Sequence, residues 1–178
     1  CTACHAPHAA EHANLLSGSL AQSCRVCHEE KLGTFPRQHA PFARGQCNAC
    51  HDSHASEDYR LIKRGDPGLC LGCHTDRQLL QSKHMGRAPQ SMARLECHNP
   101  HGGDQRTLLR KIRHQPFANG DCRACHGQPQ GVATCTQCHD DVLESFNHTS
   151  NHLLGAADLN PCVNCHTPHA ADSSGLMP

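Results

Sequence analysis

Cysteine and histidine recur in this chain at a spacing suited to holding a porphyrin. The pattern Cys-x-x-Cys-His occurs seven times in 178 residues. Two thiols at this spacing can add to the two vinyl groups of one haem, and the adjacent histidine can then bind the iron as its proximal ligand. The cysteines of the seven motifs are Cys1, Cys4, Cys24, Cys27, Cys47, Cys50, Cys70, Cys73, Cys122, Cys125, Cys135, Cys138, Cys162 and Cys165. The predicted proximal histidines are His5, His28, His51, His74, His126, His139 and His166.

Two other uses of paired cysteines compete with haem attachment. Zinc ribbons and thioredoxin-like redox sites also contain Cys-x-x-Cys. A histidine follows every pair in this chain, and seven pairs cannot combine two by two as zinc ribbons require. A disulfide framework cannot include the whole set either, because the cysteine count of fifteen is odd. The motifs therefore predict haem c as the cofactor.

The fifteenth cysteine, Cys97, is followed by His98 and preceded at the usual distance by Arg94 instead of a cysteine. The first four motifs begin at residues 1, 24, 47 and 70, a period of 23, so the next motif is due at residue 93. Arg94 stands one residue from that position. We therefore predict an eighth haem that is attached through Cys97 alone, with His98 as its proximal ligand and either His84 or His101 as its sixth ligand.

Large apolar side chains are scarce, and this bounds the fold class. Leu, Ile, Val and Phe make up 27 of 178 residues, too few for an ordinary hydrophobic core. We expect the haems to supply the missing apolar area, and the chain without haem to be unfolded. The predicted fold is mostly irregular loop with a few short α-helices wrapped around a haem stack, little or no β-sheet, and a single elongated domain over residues 1–178. Short helices are expected at 9–22, 76–84 and 140–154.

The balance of charge and the lack of long apolar runs exclude two classes of partner. Sixteen basic and sixteen acidic residues leave no basic excess for nucleic acid. No apolar run reaches the length of about 18 residues that a membrane span needs. Since haem is attached to such motifs outside the cytoplasm, we expect an extracytoplasmic location, periplasmic or extracellular, and a mature or trimmed chain.

Ten histidines remain once eight proximal ligands are assigned, and eight irons need a sixth ligand. Several of the ten occupy repeated positions, either three residues after a proximal histidine or at the start of a His-x-Pro-Phe-Ala segment. The distal ligands predicted from these positions are His8, His39, His54, His101, His114 and His169, and His84 is predicted as a distal ligand with them. His148 and His152 are four residues apart on one face of a predicted helix, and we expect His152 to be the ligand. His12 is the weakest candidate.

Residues 39–74 contain one whole repeat: a histidine, a Pro-Phe-Gly turn, CxxCHxxH, a linker ending in Leu-Ile, and a second CxxCH. This arrangement resembles the doubled-CxxCH family of multihaem c-type cytochromes, which includes periplasmic electron carriers and is similar in style to extracellular cytochrome filaments. The resemblance implies electron transfer and extends over nearly the whole chain. Two departures are the 13-residue spacing between the motifs at 122 and 135, and Arg94 in place of a haem cysteine.

Histidine on both faces of every iron predicts an electron conductor without catalytic residues. A multihaem reductase needs one iron with an open distal side, often marked by lysine in place of the proximal histidine, and every motif here ends in histidine. The methionines, which could also serve as axial ligands, hold no repeat position and are expected to be spacers; they are Met85, Met92 and Met177. Haem storage and sensing are the remaining alternatives.

Two forms of conductor stay open. A subunit of a conductive assembly or extracellular filament would share axial ligands with neighbouring copies, whereas a discrete periplasmic carrier would ligate every iron itself. We expect the assembling form, with about eight haems in near-contact and a ligand exchanged between subunits of a homopolymer. The candidates for that ligand are His12, His148, His152 and His169. Redox partner proteins or extracellular electron acceptors are the other expected partners.

Overall fold

The computed structural model describes residues 1–127, 131–147 and 161–177. The chain divides into two compact units, Cys1–Leu109 and Arg110–Pro178, called unit 1 and unit 2 below. The single elongated domain expected over residues 1–178 stays a prediction.

Unit 1 is built from short helices, turns and one small sheet. Its α-helices and strands are α1 Leu20–Leu32, β1 Arg37–Gln38, α2 Ala40–Ala43, α3 Gly68–Leu71, α4 Arg77–Lys83 and β2 Gly102–Gly103. Short 3-10 segments lie at Ala13–Leu15, Cys47–Ala49, Tyr59–Leu61, Pro89–Ser91 and Arg94–Glu96. Strands β1 and β2 pair antiparallel, with Arg37 opposite Gly103 and Gln38 opposite Gly102.

Unit 2 has the same kinds of element in its described part. These are β3 Ile112–Arg113, α5 Gln115–Asn119, α6 Arg123–His126, α7 Val132–Thr136, α8 Asp140–Ser145 and β4 Ala170–Ala171, with 3-10 segments at Pro161–Asn164 and Ser174–Leu176. Strands β3 and β4 pair antiparallel, with Ile112 opposite Ala171 and Arg113 opposite Ala170.

The predicted fold class is confirmed, because loops with a few short helices predominate and the sheets have two strands each. The helix expected at 76–84 corresponds to α4. The helix expected at 140–154 begins as predicted, and α8 ends at Ser145; residues 148–154 of that prediction lie outside the described residues.

The helix predicted at 9–22 is wrong. The Gln22 N–H donates to the Ser19 hydroxyl at 3.3 Å, and the Ser19 N–H donates to the Gln22 side chain at 2.9 Å. This capping box starts α1 at Leu20. The residues before it turn back over the first motif, where the Ala6 N–H donates to the Leu15 carbonyl at 2.8 Å. The backbone of this segment is therefore used to close a loop.

Few side chains are buried. Among the described residues, the buried hydrophobic ones are Leu71, Ala170 and Ala171, while larger side chains such as Val26 and Tyr59 are exposed. This agrees with the scarcity of large apolar residues in the sequence. The loops are held in place mainly by backbone hydrogen bonds.

Candidate haem sites

Each motif folds into one helical turn. The N–H of its histidine donates to the carbonyl of the residue four positions earlier, as His5 does to Cys1 at 2.9 Å. Residues i, i+3 and i+4 share one face of such a turn, so both thiols and the imidazole can reach one haem. The motif at residues 24–28 lies within α1 and takes the same geometry from that helix.

The segment ending in Cys97 and His98 has this turn as well. The His98 N–H donates to the Arg94 carbonyl at 2.8 Å, where other motifs have a cysteine. The Arg94 guanidinium pairs with an Asp66 carboxylate oxygen at 2.7 Å, and the Arg94 backbone N–H donates to the other oxygen at 2.9 Å. These side chains are 13% and 19% exposed. Position 94 thus keeps the motif's backbone while its side chain is anchored by a carboxylate that sequence reasoning did not find.

Four proximal imidazoles are oriented by a backbone carbonyl nine residues further along the chain. In each, the Nδ1–H donates to that carbonyl, which leaves Nε2 available to bind iron. All four belong to motifs that continue to a second histidine. The donor and acceptor pairs are His5 to Asn14 (2.8 Å), His51 to Arg60 (2.9 Å), His98 to Thr107 (2.7 Å) and His166 to Gly175 (2.6 Å).

One repeated loop supplies this carbonyl. The residue after the acceptor is leucine each time, and its own carbonyl accepts the N–H of the residue that follows the proximal histidine. These bonds are Ala6 to Leu15 (2.8 Å), Asp52 to Leu61 (2.7 Å), Asn99 to Leu108 (2.9 Å) and Thr167 to Leu176 (2.8 Å). The four leucines have φ between 53° and 57°. The sequence signal for this loop is a leucine ten residues after the histidine, which in the repeat at residues 39–74 is the leucine of the Leu-Ile at the end of the linker.

Six of the eight predicted proximal imidazoles face a predicted distal one. The ring centroids are 5.8–6.2 Å apart in every pair. The pairs are His5–His54, His51–His101, His74–His39, His98–His84, His126–His169 and His139–His114.

This spacing fits one iron between two rings. An imidazole nitrogen binds a transition metal at about 2.0–2.1 Å, so imidazoles on opposite faces of one ion have centroids about 6 Å apart. The ring planes are inclined by 14–24° in five pairs and by 64° in the pair His84–His98. Over the ranges that the structure describes, no group of three or more His, Cys, Asp or Glu side chains could hold a metal ion. Facing imidazoles recur in both units.

The two small sheets position the distal ligands. In unit 1, the His39 N–H donates to the His101 carbonyl at 2.9 Å, and the His39 Nδ1–H donates to the Pro100 carbonyl at 3.0 Å. Phe42 packs against His101 with ring centroids 5.0 Å apart. Because His39 faces His74 and His101 faces His51, one strand pair fixes the distal ligands of two irons.

Unit 2 repeats these contacts. The His114 N–H donates to the His169 carbonyl at 3.0 Å, and the His114 Nδ1–H donates to the Pro168 carbonyl at 3.1 Å. Phe117 takes the place of Phe42 and lies 5.5 Å from the His169 ring. The near-identical His-x-Pro-Phe-Ala segments thus have the same role in both units.

Burial affects the ionisation of the imidazoles and of the thiols that would attach haem. It lowers the pKa of His39 and of His101, which favours the neutral imidazole that a metal requires. It also raises the pKa of Cys24 to about 11, and a hydrogen bond between the Cys24 and Cys47 thiols contributes.

Thiols of successive motifs meet in both units. In unit 1, Cys24 contacts Cys47. In unit 2, burial raises the pKa of Cys162, and a hydrogen bond to Cys135 adds to this effect. Beside that second contact an apolar pocket, lined in part by Val142, Leu143 and Phe146, adjoins His139. Such walls suit the apolar edge of a porphyrin.

Some predicted ligands are not brought together. Among the described residues, no imidazole faces His28 or His166, and His8 and His12 are exposed with no facing ring. His148 and His152 lie outside the described residues. His169 faces His126 of its own chain, so we drop it from the candidates for a ligand shared between subunits.

Within the described ranges, no helix has the length and apolar character needed to span a bilayer. The family model for the doubled CXXCH motif matches residues 1–33 and 39–79, somewhat under half of the chain. Comparison with curated proteins gave no match. The family match supports a multihaem c-type cytochrome that binds haem through its CxxCH motifs.

Proposed function

We propose that this multihaem c-type cytochrome carries electrons along about eight haems, each ligated by two histidines. The facing of six proximal imidazoles by six distal ones, at 5.8–6.2 Å, is the observation that carries the proposal. Two axial imidazoles keep iron six-coordinate, which suits electron transfer because the iron can change oxidation state without exchanging a ligand.

Contacts between successive motifs support the passage of electrons. Because the thiols of Cys24 and Cys47 are neighbours, the haems that they attach would lie close together. The contact between Cys135 and Cys162 gives unit 2 a similar proximity. Short separations between cofactors are what a conductor requires of its protein.

The proposal includes a haem at Cys97 and His98. The helical turn from Arg94 to His98 matches that of the complete motifs, and His84 faces His98 at 6.1 Å. We propose His84, and not His101, as the sixth ligand of this iron, because His101 faces His51. One thioether through Cys97 and two imidazoles would hold this haem.

We propose no catalysis for this chain. Every complete motif ends in histidine, and the facing pairs occupy both sides of the irons that they would ligate. At those irons a substrate would have to displace an imidazole. An extracytoplasmic location, where haem is attached to such motifs, is part of the proposal.

We further propose that the chain works in an assembly of copies that share ligands. His54 faces His5, 49 residues earlier, and His101 faces His51, 50 residues earlier. His8 occupies the same motif position, and no imidazole faces it among the described residues. His28 is a predicted proximal ligand with no facing imidazole among the described residues. His8 is thus a distal candidate without an iron, and the iron at His28 lacks a second imidazole. Both support ligand exchange between copies over the discrete carrier.

Haem quantitation and electron paramagnetic resonance (EPR) of the purified holoprotein test the proposal together. We expect about eight haems per chain and low-spin ferric signals alone. Six haems or fewer would contradict the assignment, and a substantial high-spin population would favour a reductase. Negative-stain microscopy separates the two forms of conductor: filaments that shorten in His8→Ala support shared ligands, whereas monodisperse low-spin monomers identify the discrete carrier.

A further inference from the structure

We propose that the protein tunes its haems through hydrogen bonds from their axial imidazoles to backbone carbonyls, and that an iron with a carbonyl-bound proximal imidazole has a lower reduction potential than it would have without that bond. This inference rests on the proposed bis-histidine ligation. The carbonyl-bound class comprises His5, His51, His98 and His166. The second class comprises His28, His74, His126 and His139; in the part of the chain that the structure describes, none of these rings donates to a carbonyl or carboxylate. Distal imidazoles carry the same bond at three irons, where His39 faces His74, His84 faces His98 and His114 faces His139.

The direction of the effect follows from the chemistry of imidazole. When Nδ1–H donates to a carbonyl, electron density in the ring increases and Nε2 becomes a stronger donor to the metal. A stronger donor stabilises ferric iron more than ferrous iron, which lowers the reduction potential. The four distances of 2.6–2.9 Å lie at the short end of, or just below, the usual N–H···O range.

The loop that supplies the carbonyl contains a leucine in an unfavourable backbone conformation. Leucine disfavours the left-handed conformation because its Cβ crowds the carbonyl that follows. Even so, Leu15, Leu61, Leu108 and Leu176 all adopt it, immediately after the accepting residue. An unfavourable conformation repeated at one position of four loops indicates that the position of the carbonyl is what these loops maintain.

The two classes alternate along the sequence from His5 to His126. The first, third and fifth proximal histidines are carbonyl-bound, and the second, fourth and sixth are not. The order breaks at His139, where two haems of the second class follow one another before His166. When both axial ligands are considered, the iron of the pair His84–His98 has two such bonds, so it should have the lowest potential among the facing pairs.

A pair of substitutions at Leu61 isolates the hydrogen bond to His51. Proline cannot adopt the φ of 55° found at Leu61, so Leu61→Pro displaces the preceding Arg60 carbonyl, whereas glycine adopts that φ readily in Leu61→Gly. In a redox titration followed by haem absorbance, Leu61→Pro should move one haem's share of the change to higher potential. The titration curve of Leu61→Gly should superimpose on that of the parent protein.

Leu176→Pro and Leu176→Gly repeat the test in unit 2, around His166. Equal titration curves for both proline variants and the parent, at equal haem content, would overturn the inference. A measurement without variants covers the case in which proline prevents folding: in the reduced protein, NMR should show slower solvent exchange of the Nδ1 protons in the carbonyl-bound class. Equal exchange rates would also overturn it. A low haem count in the parent would instead contradict the proposed function.

Discussion

Units 1 and 2 hold the same arrangement of four histidines on different lengths of chain. In unit 1, His39 faces His74 while His101 faces His51; in unit 2, His114 faces His139 while His169 faces His126. The proximal histidines are 23 residues apart in unit 1 and 13 apart in unit 2. The pairing therefore does not depend on the spacing of the motifs. Features common to both units, the strand pair and the His-x-Pro-Phe-Ala turn, account for it.

The difference in length has a second effect. The longer loop of unit 1 returns the Arg60 carbonyl to the His51 ring, and no described carbonyl accepts from His126. Shortening the repeat thus keeps the ligand and omits its hydrogen bond. Ligation and tuning are separable in this architecture.

The largest expected effect comes from removing one distal ligand in each unit. His101→Ala and His169→Ala should each convert one haem from low spin to high spin, because His51 and His126 would lose the imidazole that faces them. EPR of the ferric protein measures this change. In the matched variant His101→Met, a thioether can replace the imidazole, so we expect low-spin iron at a raised potential. A low-spin spectrum in only one of the alanine variants would break the equivalence of the units, and a low-spin spectrum in both would contradict the two distal assignments.

The strand residue that follows the distal histidine provides the next test, because it is Gly102 in unit 1 and Ala170 in unit 2. A Cβ on Gly102 would lie 2.5 Å from the Phe35 Cβ and 2.6 Å from the Arg37 carbonyl oxygen. Ala170, which occupies the same place in unit 2, is fully buried without such a conflict. We expect Gly102→Ala to cost about 1–3 kcal/mol of stability through overpacking. Ala170→Gly should cost about 0.5–1 kcal/mol.

Chemical denaturation followed by the haem absorbance would measure both. The expected order is Gly102→Ala well above Ala170→Gly. The reverse order would mean that Phe35 moves away from β2 freely, and that the first strand pair is not what fixes His39 and His101.

Covalent chemistry was easier to predict from the sequence than the pairing of ligands. The proximal histidines follow from the motif itself, and the scarcity of large apolar residues predicted the loop-rich fold. Distal candidates such as His39 and His114 were recognisable because their segments repeat. Their partners were not, since His39 faces His74, which is 35 residues away and beyond an intervening motif.

Contacts made by the backbone could not be predicted. The carbonyls of Asn14 and Arg60 accept from proximal imidazoles, and nothing in the side chains of those residues indicates this role. The helix expected at 9–22 failed for a related reason: composition permits a helix there, while the loop over His5 needs the same residues. Asp66 is 28 residues before Arg94, and one acidic residue among sixteen carries no sign of its partner.

A smaller, optical effect should come from Arg94, in a part of unit 1 without a counterpart in unit 2. The parent protein should show a minor red-shifted pyridine haemochrome component from a vinyl group that has no cysteine to react with. Arg94→Cys recreates a complete motif on a turn that already has its geometry, so this component should disappear while the haem count stays the same. A parent spectrum without the component, or peptide mapping that finds no haem on Cys97, would remove the eighth haem.

The smallest effect expected is one unusual EPR component, from the pair His84–His98. Nearly parallel axial imidazoles separate the energies of the two iron d orbitals that overlap with the π systems of the rings. When the rings are strongly crossed, these two orbitals approach equal energy, and the largest g-value rises. The planes are inclined by 64° in this pair and by 14–24° in the other five. Each ring is held by its own Nδ1 bond, His84 to Leu80 at 2.7 Å within α4 and His98 to Thr107 at 2.7 Å. The crossed orientation is thus independent of the missing thioether, and the high-g component should persist in Arg94→Cys. It should vanish in His84→Ala, and its survival there would assign the crossed pair to a different iron.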